Sequence, residues 1–237
     1  MQLFYAADIS RDADFYTLSE EESKHCVRVL RMSEGDTFSI TDGRGTIFGV
    51  KIVDADPRRC RVKIVDRIES YEKRDYSLQM AVALTKNMER YEWFVEKATE
   101  IWVDVITPLL CERSERRHLK TDRLEKVAVS AIKQCLKAYL PEIEELTPFK
   151  ELVEKPFDGK KFIAHIEKDR ERILLKDALR GGERVLILIG PEGDFSPEEI
   201  DLAHRHGFAD LSLGTSRLRT ETAAIAAAHS VAFINEK

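Results

Sequence analysis

No stretch of this 237-residue chain approaches the roughly eighteen consecutive apolar residues of a membrane-spanning helix, so no transmembrane segment is expected. The four cysteines, Cys26, Cys60, Cys111 and Cys135, form no C-x-x-C pair. A zinc clip and a disulfide framework are therefore not expected, and reduced thiols in a cytoplasmic protein are. No G-x-G-x-x-G follows a strand pattern and no G-x-x-x-x-G-K occurs, which removes the usual signatures of dinucleotide and nucleotide-triphosphate enzymes. An excess of basic charge is missing as well. Lys and Arg number 38 against 43 Asp and Glu, a net charge of −5, which argues against a generally basic nucleic-acid binder. The opening Met1-Gln2-Leu3-Phe4-Tyr5 runs into Asp8, Arg11 and Asp12 instead of a basic region and an apolar core, so export is not expected. Internal repeats and low-complexity tracts are absent.

What is present is a globular composition, 43% hydrophobic, with charge unevenly placed. Ser23 to Arg67 carries ten Lys/Arg against six Asp/Glu, and Cys111 to Leu140 eight against four. Such stretches build basic faces on an acidic protein or simply solvated surface. Residues 1–70 read as β-rich. Asp36-Thr-Phe-Ser-Ile-Thr41 alternates and breaks at Asp42-Gly43-Arg44-Gly45, a hairpin signal, and Thr46 to Val53 is the returning strand. Cys60 to Asp66 alternates again, with Arg61 and Lys63 on one face and Val62 and Ile64 on the other. Ser19, with Glu22 three residues on, has the pattern of a capping box opening a short helix. A small barrel with one helix fits this grammar.

After the polar joint Glu69 to Asp75 the pattern changes, over residues 74–237, to alternating strands and helices. Strands are expected at Leu78–Leu84, Val103–Leu110, Lys161–Ile166, Arg184–Ile189 and Ala209–Leu213. Helices are expected at Met88–Ile101, with Trp93, Val95, Ala98 and Ile101 among its apolar positions, then at Asp122–Ala138, Pro197–Arg205 and Glu221–Ile234. Ser196 and Pro197 supply the cap and first position of the third. This alternation implies an α/β layer architecture around a mostly parallel sheet.

Two segments carry candidate chemistry. Ile189-Gly-Pro-Glu-Gly-Asp-Phe-Ser-Pro-Glu-Glu199 leaves a buried strand and enters a helix, the place where open α/β sheets bind ligands. Gly190 and Gly193 permit a sharp turn and close approach. Ser196, Glu198 and Glu199 complement the free amides of the helix start, and their charge would repel a phosphate. A plain strand–turn–helix joint has the same features. Leu213-Gly-Thr-Ser-Arg-Leu-Arg-Thr-Glu-Thr-Ala223 again ends a strand in glycine. Its Arg217 and Arg219 oppose the dipole of the coming helix, a local conflict more expected at functional sites. The low bulk of Ala223-Ala-Ile-Ala-Ala-Ala-His229 suits close packing by a neighbouring helix, by a partner subunit, or simply a stable helix.

Both segments resemble the SPOUT methyltransferases, and specifically the RsmE family. The likeness also takes in His25-Cys-Val-Arg-Val-Leu-Arg-Met32, Gly35-Asp36, Asp42-Gly43, Ala83-Leu-Thr-Lys86, Glu92-Trp93, Glu96-Lys-Ala-Thr-Glu100 and Pro108-Leu-Leu-Cys-Glu-Arg-Ser114. Most telling are Gly190-Pro-Glu-Gly193 and Leu213-Gly214 through Arg217-Leu-Arg-Thr-Glu-Thr-Ala223, in that order and spacing. The resemblance implies a small N-terminal PUA-like β-barrel over 1–70 that binds RNA, and a C-terminal SPOUT α/β trefoil-knot domain over 74–237. It further implies a homodimer that transfers a methyl group from S-adenosylmethionine to N3 of a uridine, uridine 1498, in 16S rRNA of the small ribosomal subunit. The cofactor would be held by Ile189, Gly190, Glu192, Gly193, Leu213, Gly214, Leu218 and Thr220. Against the family pattern, Asp194 and Trp102 stand where glycine is usual, and Cys135 stands where serine is common.

Under this resemblance Arg219 and Glu221 are the catalytic candidates. Arg219 would stabilise negative charge developing on the uracil oxygens, and Glu221 would orient Arg219 or accept the N3 proton; a local Arg219–Glu221 ion pair is the alternative. Lys24, Arg28 and Arg31 are candidate phosphate contacts or plain exposed charges. His25–Cys26 and His204/His206 lack further ligands in the sequence, so no metal site is expected. Two rival functions are a PUA-like RNA binder without catalysis and a nucleotide-dependent α/β enzyme such as a dehydrogenase. Cofactor binding separates them.

Overall fold

The computed structural model describes residues 2–167 and 170–236. By contacts the chain forms two units, Met1–Lys73 with Ile132–Leu140, and Arg74–Ala131 with Pro141–Lys237.

The first unit is a curled five-stranded sheet. Its strands are β1 (Leu3–Tyr5), β2 (Phe15–Thr17), β3 (Thr37–Thr41), β4 (Ile47–Asp54) and β5 (Arg61–Ile68), in the order β1-β3-β4-β5-β2. β3, β4 and β5 form an antiparallel meander, while β1 joins β3 in parallel. Alternation decides the faces: Val62 and Ile64 are buried and Arg61 and Lys63 exposed, so the sheet rolls its apolar side around Phe4, Ile40, Phe48, Val50 and Ile52. Register shifts in β4, at Gly49/Val50 and Ile52/Asp54, give it the bulges that curl an antiparallel sheet. The β3–β4 turn forms where Asp42–Gly45 predicts it, with the Asp42 carboxylate accepting from the Arg44 and Thr46 amides at 2.7 and 3.0 Å. Helix α1 (Glu20–Lys24) starts at Ser19, whose hydroxyl accepts from the Glu22 amide at 3.2 Å. It then loosens into a π-helical turn over His25–Val29.

The second unit centres on a seven-stranded parallel sheet. Its strands are β6 (Ser77–Ala83), β7 (Val105–Leu110), β8 (Glu142–Ile143), β9 (Thr147–Pro148), β10 (Lys160–Ala164), β11 (Arg184–Ile189) and β12 (Ala209–Leu211). The order is β12-β10-β11-β6-β7-β8, with β9 also on β7, and every pairing is parallel. Around it lie α2 (Met88–Glu100), α3 (Asp122–Cys135), α4 (Phe149–Glu154), α5 (Leu175–Ala178), α6 (Pro197–Arg205) and α7 (Thr220–Asn235). The central strands are continuous apolar runs because helices cover both faces. α6 begins with a complete capping box between Ser196 and Glu199.

Three details depart from the sequence expectation. Trp93 is 44% exposed, and the buried stripe of α2 is Tyr91, Phe94, Val95, Ala98 and Thr99 instead. α3 stops at Cys135, short of Ala138, because Leu136 adopts a left-handed φ of 59° and the Lys137 amide closes back onto the Ile132 carbonyl. The short elements β1, β2, β8, β9, α4 and α5 carry too little periodicity to be read in advance. Among the described residues, no helix is long and apolar enough to cross a membrane.

Candidate active site

The carboxyl ends of β6, β11 and β12 release the loops that matter. Where β11 ends at the buried Ile189, the chain turns tightly and the Asp194 amide bonds back to the Pro191 carbonyl at 2.9 Å. Gly190 is tightly enclosed: a Cβ there would lie 3.0 Å from the Phe195 ring, which would have to give way. The Gly193 carbonyl accepts from Arg113 Nη1 at 3.1 Å, as does that of Phe195. Glu199 spends both carboxylate oxygens on structure, accepting from the Ser196 and Glu112 amides.

After β12, Gly214 takes a φ of 105°, a left-handed conformation that suits glycine, and nothing lies within 4 Å of a Cβ built there. Leu213 and Leu218 are half-buried. Arg219 caps α7 with an extended backbone and no side-chain cap bond. The next residue joins the two loops, since Thr220 Oγ1 donates to the Gly190 carbonyl at 3.0 Å. Thus Ile189, Gly190 and Thr220 meet, and Glu192 and Arg219 share one cavity. Gly193, Leu213, Gly214 and Leu218 flank this centre in sequence and do not line the cavity.

That cavity, about 360 Å³, is lined by Lys86, Asn87, Arg90, Glu192 and Arg219. Lys86 and Asn87 leave β6, and Arg90 lies in the first turn of α2, which Asn87 caps through the Glu89 amide at 3.0 Å. Glu221 is only 7% exposed, and its Oε2 has no hydrogen-bond partner. The cation nearest to it is Arg90, with Nε 3.9 Å from Oε1, and Arg90 Nη1 also lies 3.8 Å from Glu192 Oε1. No Arg219–Glu221 ion pair occurs among the described residues. Sequence reasoning missed Lys86, Asn87, Arg90 and Arg113. The available signal was the mostly polar run from Lys86 to Arg90 between a strand end and a helix start, the place where open α/β sheets bind ligands.

The histidines need a correction. His204 does have ligands nearby: its Nε2 lies 2.5 Å, and His165 Nε2 2.8 Å, from Asp210 Oδ1. All three could reach one ion. Their second nitrogens oppose it. His165 Nδ1 accepts from the Glu167 amide, and His204 Nδ1 faces Arg170 Nη1 at 2.8 Å. Both Nδ1 atoms face donors, an arrangement that favours the tautomer with the proton on Nε2, toward Asp210. A metal on Nε2 would require protonated Nδ1 atoms, which these partners oppose. Burial pushes the Asp210 carboxyl up, but the bonds from His204 and His165 outweigh it and hold the group below its usual range.

The RNA-contact candidates lie in the first unit. Lys24, Arg28 and Arg31 are all exposed; Lys24 pairs with Glu20 at 2.6 Å, and Arg31 takes a left-handed φ of 58°. Arg61 stacks over the exposed Phe15 at 4.6 Å. The thiols are quiet: burial raises Cys26, to about 12, and Cys111 well above its ordinary value.

With this geometry in place, comparison with known proteins defines the class. Residues 72–232 match the model of the RNA methyltransferase domain and residues 18–65 that of the RNA methyltransferase PUA domain. The first match spans more than half the chain, and the fold is the SPOUT α/β class with an appended PUA-like barrel. The chain belongs to the RNA methyltransferase family, in its ribosomal RNA small subunit methyltransferase E (RsmE) branch. It is 29% identical over 220 residues to the ribosomal RNA small subunit methyltransferase E of Buchnera aphidicola, covering 90% of this chain and 85% of that one. A probable rRNA-methyltransferase from Porphyromonas gingivalis has 42% identity and a TM-score of 0.92, covering 99% and 98%. The putative methyltransferase Lpg2936 from Legionella pneumophila, solved with its bound cofactor SAM, has 30% identity and a TM-score of 0.86, covering 97% and 96%.

Proposed function

We propose that this chain transfers a methyl group from S-adenosylmethionine to N3 of a uridine, position 1498, in 16S rRNA of the small ribosomal subunit. The observation that carries this reading is the cavity holding Glu192 and Arg219, beside a buried Glu221 with an oxygen left unpaired. A buried carboxylate with an empty acceptor is costly to keep, and such groups concentrate at functional sites.

The residues present suit the cofactor. It carries both a sulfonium cation and an amino-acid end with a carboxylate, and this site offers both signs of charge, Glu192 beside Lys86, Arg90 and Arg219, together with loop backbone. Ile189, Gly190, Glu192, Gly193, Leu213, Gly214, Leu218 and Thr220 are the residues proposed to hold it, and the open space around Gly214 leaves room at that loop. When bound, the cofactor supplies an activated methyl group whose departure leaves a neutral thioether. The protein's task is then to deal with the N3 proton. Glu221 accepts it, and Arg219 stabilises the negative charge spread over the uracil oxygens. The proton passes from Glu221 to solvent after product leaves.

Residues 1–70 are proposed to hold RNA through Lys24, Arg28 and Arg31. A homodimer is proposed through α7, whose apolar residues are not confined to one face and whose Phe233 is 70% exposed. The cytoplasm, where ribosomal RNA is found, is the proposed compartment. The test is transfer of a labelled methyl group to small subunits lacking the modification, with the nucleoside identified by mass spectrometry. N3-methyluridine at one site is the expected product. Cofactor binding without transfer would point to another substrate. Failure of both would leave an RNA-binding module.

A further inference from the structure

We infer that Arg90 is a positioning residue for the reaction: it compensates and aims the buried carboxylate of Glu221, ready to take the substrate proton. The inference rests on the reading of Glu221 as proton acceptor. Its basis is the arrangement of charge around that carboxylate. Glu221 lies in the first turn of α7, where the helix dipole favours an anion, but the dipole alone is a small compensation for burial. The cation facing it is Arg90, in the first turn of α2, and the cavity beside it brings in Lys86 ahead of α2, Glu192 from the loop after β11, and Arg219 ahead of α7. The strands under α7 present uncharged residues, Leu78–Ala83 and Val185–Ile189.

Within that ring Arg90 is the group placed to act. Lys86 is paired with Glu115 at 3.1 Å. Arg219 forms no ion pair with Glu221. Arg90 lies between two carboxylates, 3.9 Å from Glu221 and 3.8 Å from Glu192. Both separations exceed a hydrogen bond, so the cation supplies charge without occupying the carboxylate's acceptor sites. That is what a proton acceptor requires: an ionised oxygen kept in place but not saturated by donors. A direct hydrogen bond from Arg90 would tie up the oxygen, and no cation at all would leave the buried carboxylate without a compensating charge.

Arg90→Gln tests this in steady-state methylation of small subunits at saturating cofactor, with rates followed from acid to about pH 9. We expect kcat on the acid side of the profile to fall by up to about tenfold, with the acid limb displaced upward by about one pH unit and the rate recovered at high pH. Arg90→Lys should restore most of the acid-side rate. Binding of S-adenosylmethionine should change less than about threefold, which is under 1 kcal/mol. A uniform loss at every pH, or a raised KM for the subunit with an unmoved profile, would overturn the inference and make Arg90 a structural or RNA contact. Unchanged kcat with weakened cofactor binding would also overturn it, by assigning Arg90 to Glu192. Glu221→Gln, assayed beside it, separates the two levels. If that variant stays active, the reading of Glu221 itself fails; if it is inactive while the Arg90→Gln profile is unmoved, only the inference fails.

Discussion

The two units place their candidate functional charges differently. In the first, the candidates stand in water: Lys24, Arg28 and Arg31, on and just after α1, are exposed, as are Arg61 and Lys63 on the outer face of β5, while the buried Asp42 and Lys137 lie elsewhere in the unit. In the second, the sheet is buried on both faces, and some of the charge at its carboxyl edge is enclosed, as with Glu221 and His165. Exposed cations are screened by salt and cheap to replace, so they suit long-range attraction and orientation of a polyanion. Enclosed charges interact strongly and are costly to misplace, so they suit chemistry. The contrast supports the proposal that the first unit supplies affinity and the second the reaction.

The largest break in that division should come from crowding the cofactor loop. Gly190→Val would drive a branched side chain toward the Phe195 ring, already 3.0 Å from a bare Cβ, and displace the carbonyl that Thr220 holds. Loss of S-adenosylmethionine affinity by more than about a hundredfold is expected in calorimetry, on the scale of misplaced active-site groups. RNA binding should persist.

The converse change is milder. Combined Lys24→Ala, Arg28→Ala and Arg31→Ala should leave kcat at saturating subunit within about twofold while KM rises, and it should lower the slope of log affinity against log salt by up to about three, one per lost phosphate contact. A large fall in kcat would place chemistry in the first unit and break the comparison.

The smallest effect concerns Asp210. Its carboxyl is held below the ordinary value of 3.8 in the folded state by His204 and His165, burial opposing. The sign follows: the unfolded chain binds this proton first as pH falls, so the stabilisation is complete above about pH 4 and lost as pH drops through the depressed folded value. Thermal melts of the parent should therefore fall faster with acid than those of Asp210→Asn. Parallel acid slopes would remove the cluster from the stability account.

Much of the architecture could be read from sequence because the strongest signals were local. Arg184–Ile189 and Pro197–Arg205 form with the expected bounds, since an apolar run and a Ser-Pro cap need no distant partner. Trp93 shows the limit: spacing gave it an apolar position, but which face of α2 meets the sheet is a tertiary matter. The two glycine departures show another. Trp102 and Asp194 adopt φ values of 75° and 63°, conformations that favour glycine. Each has a compensating contact from far along the chain, Arg74 4.9 Å over the Trp102 ring and the Ile166 amide on the Asp194 carboxylate at 3.0 Å. In the same way His165 and Asp210 meet only because β10 pairs with β12, a neighbourhood set by sheet order. The site's glycine loops stood out through family resemblance; the cations of α2 that complete the cavity did not.

The central claim, that the second unit's cavity performs the transfer and Arg219 stabilises its transition state, is tested most directly by Arg219→Ala with two readouts on one preparation. The account predicts S-adenosylmethionine affinity within about threefold of the parent and methyl transfer to small subunits reduced by at least about a hundredfold. Turnover equal to that of the parent, with the cofactor bound as before, would contradict it.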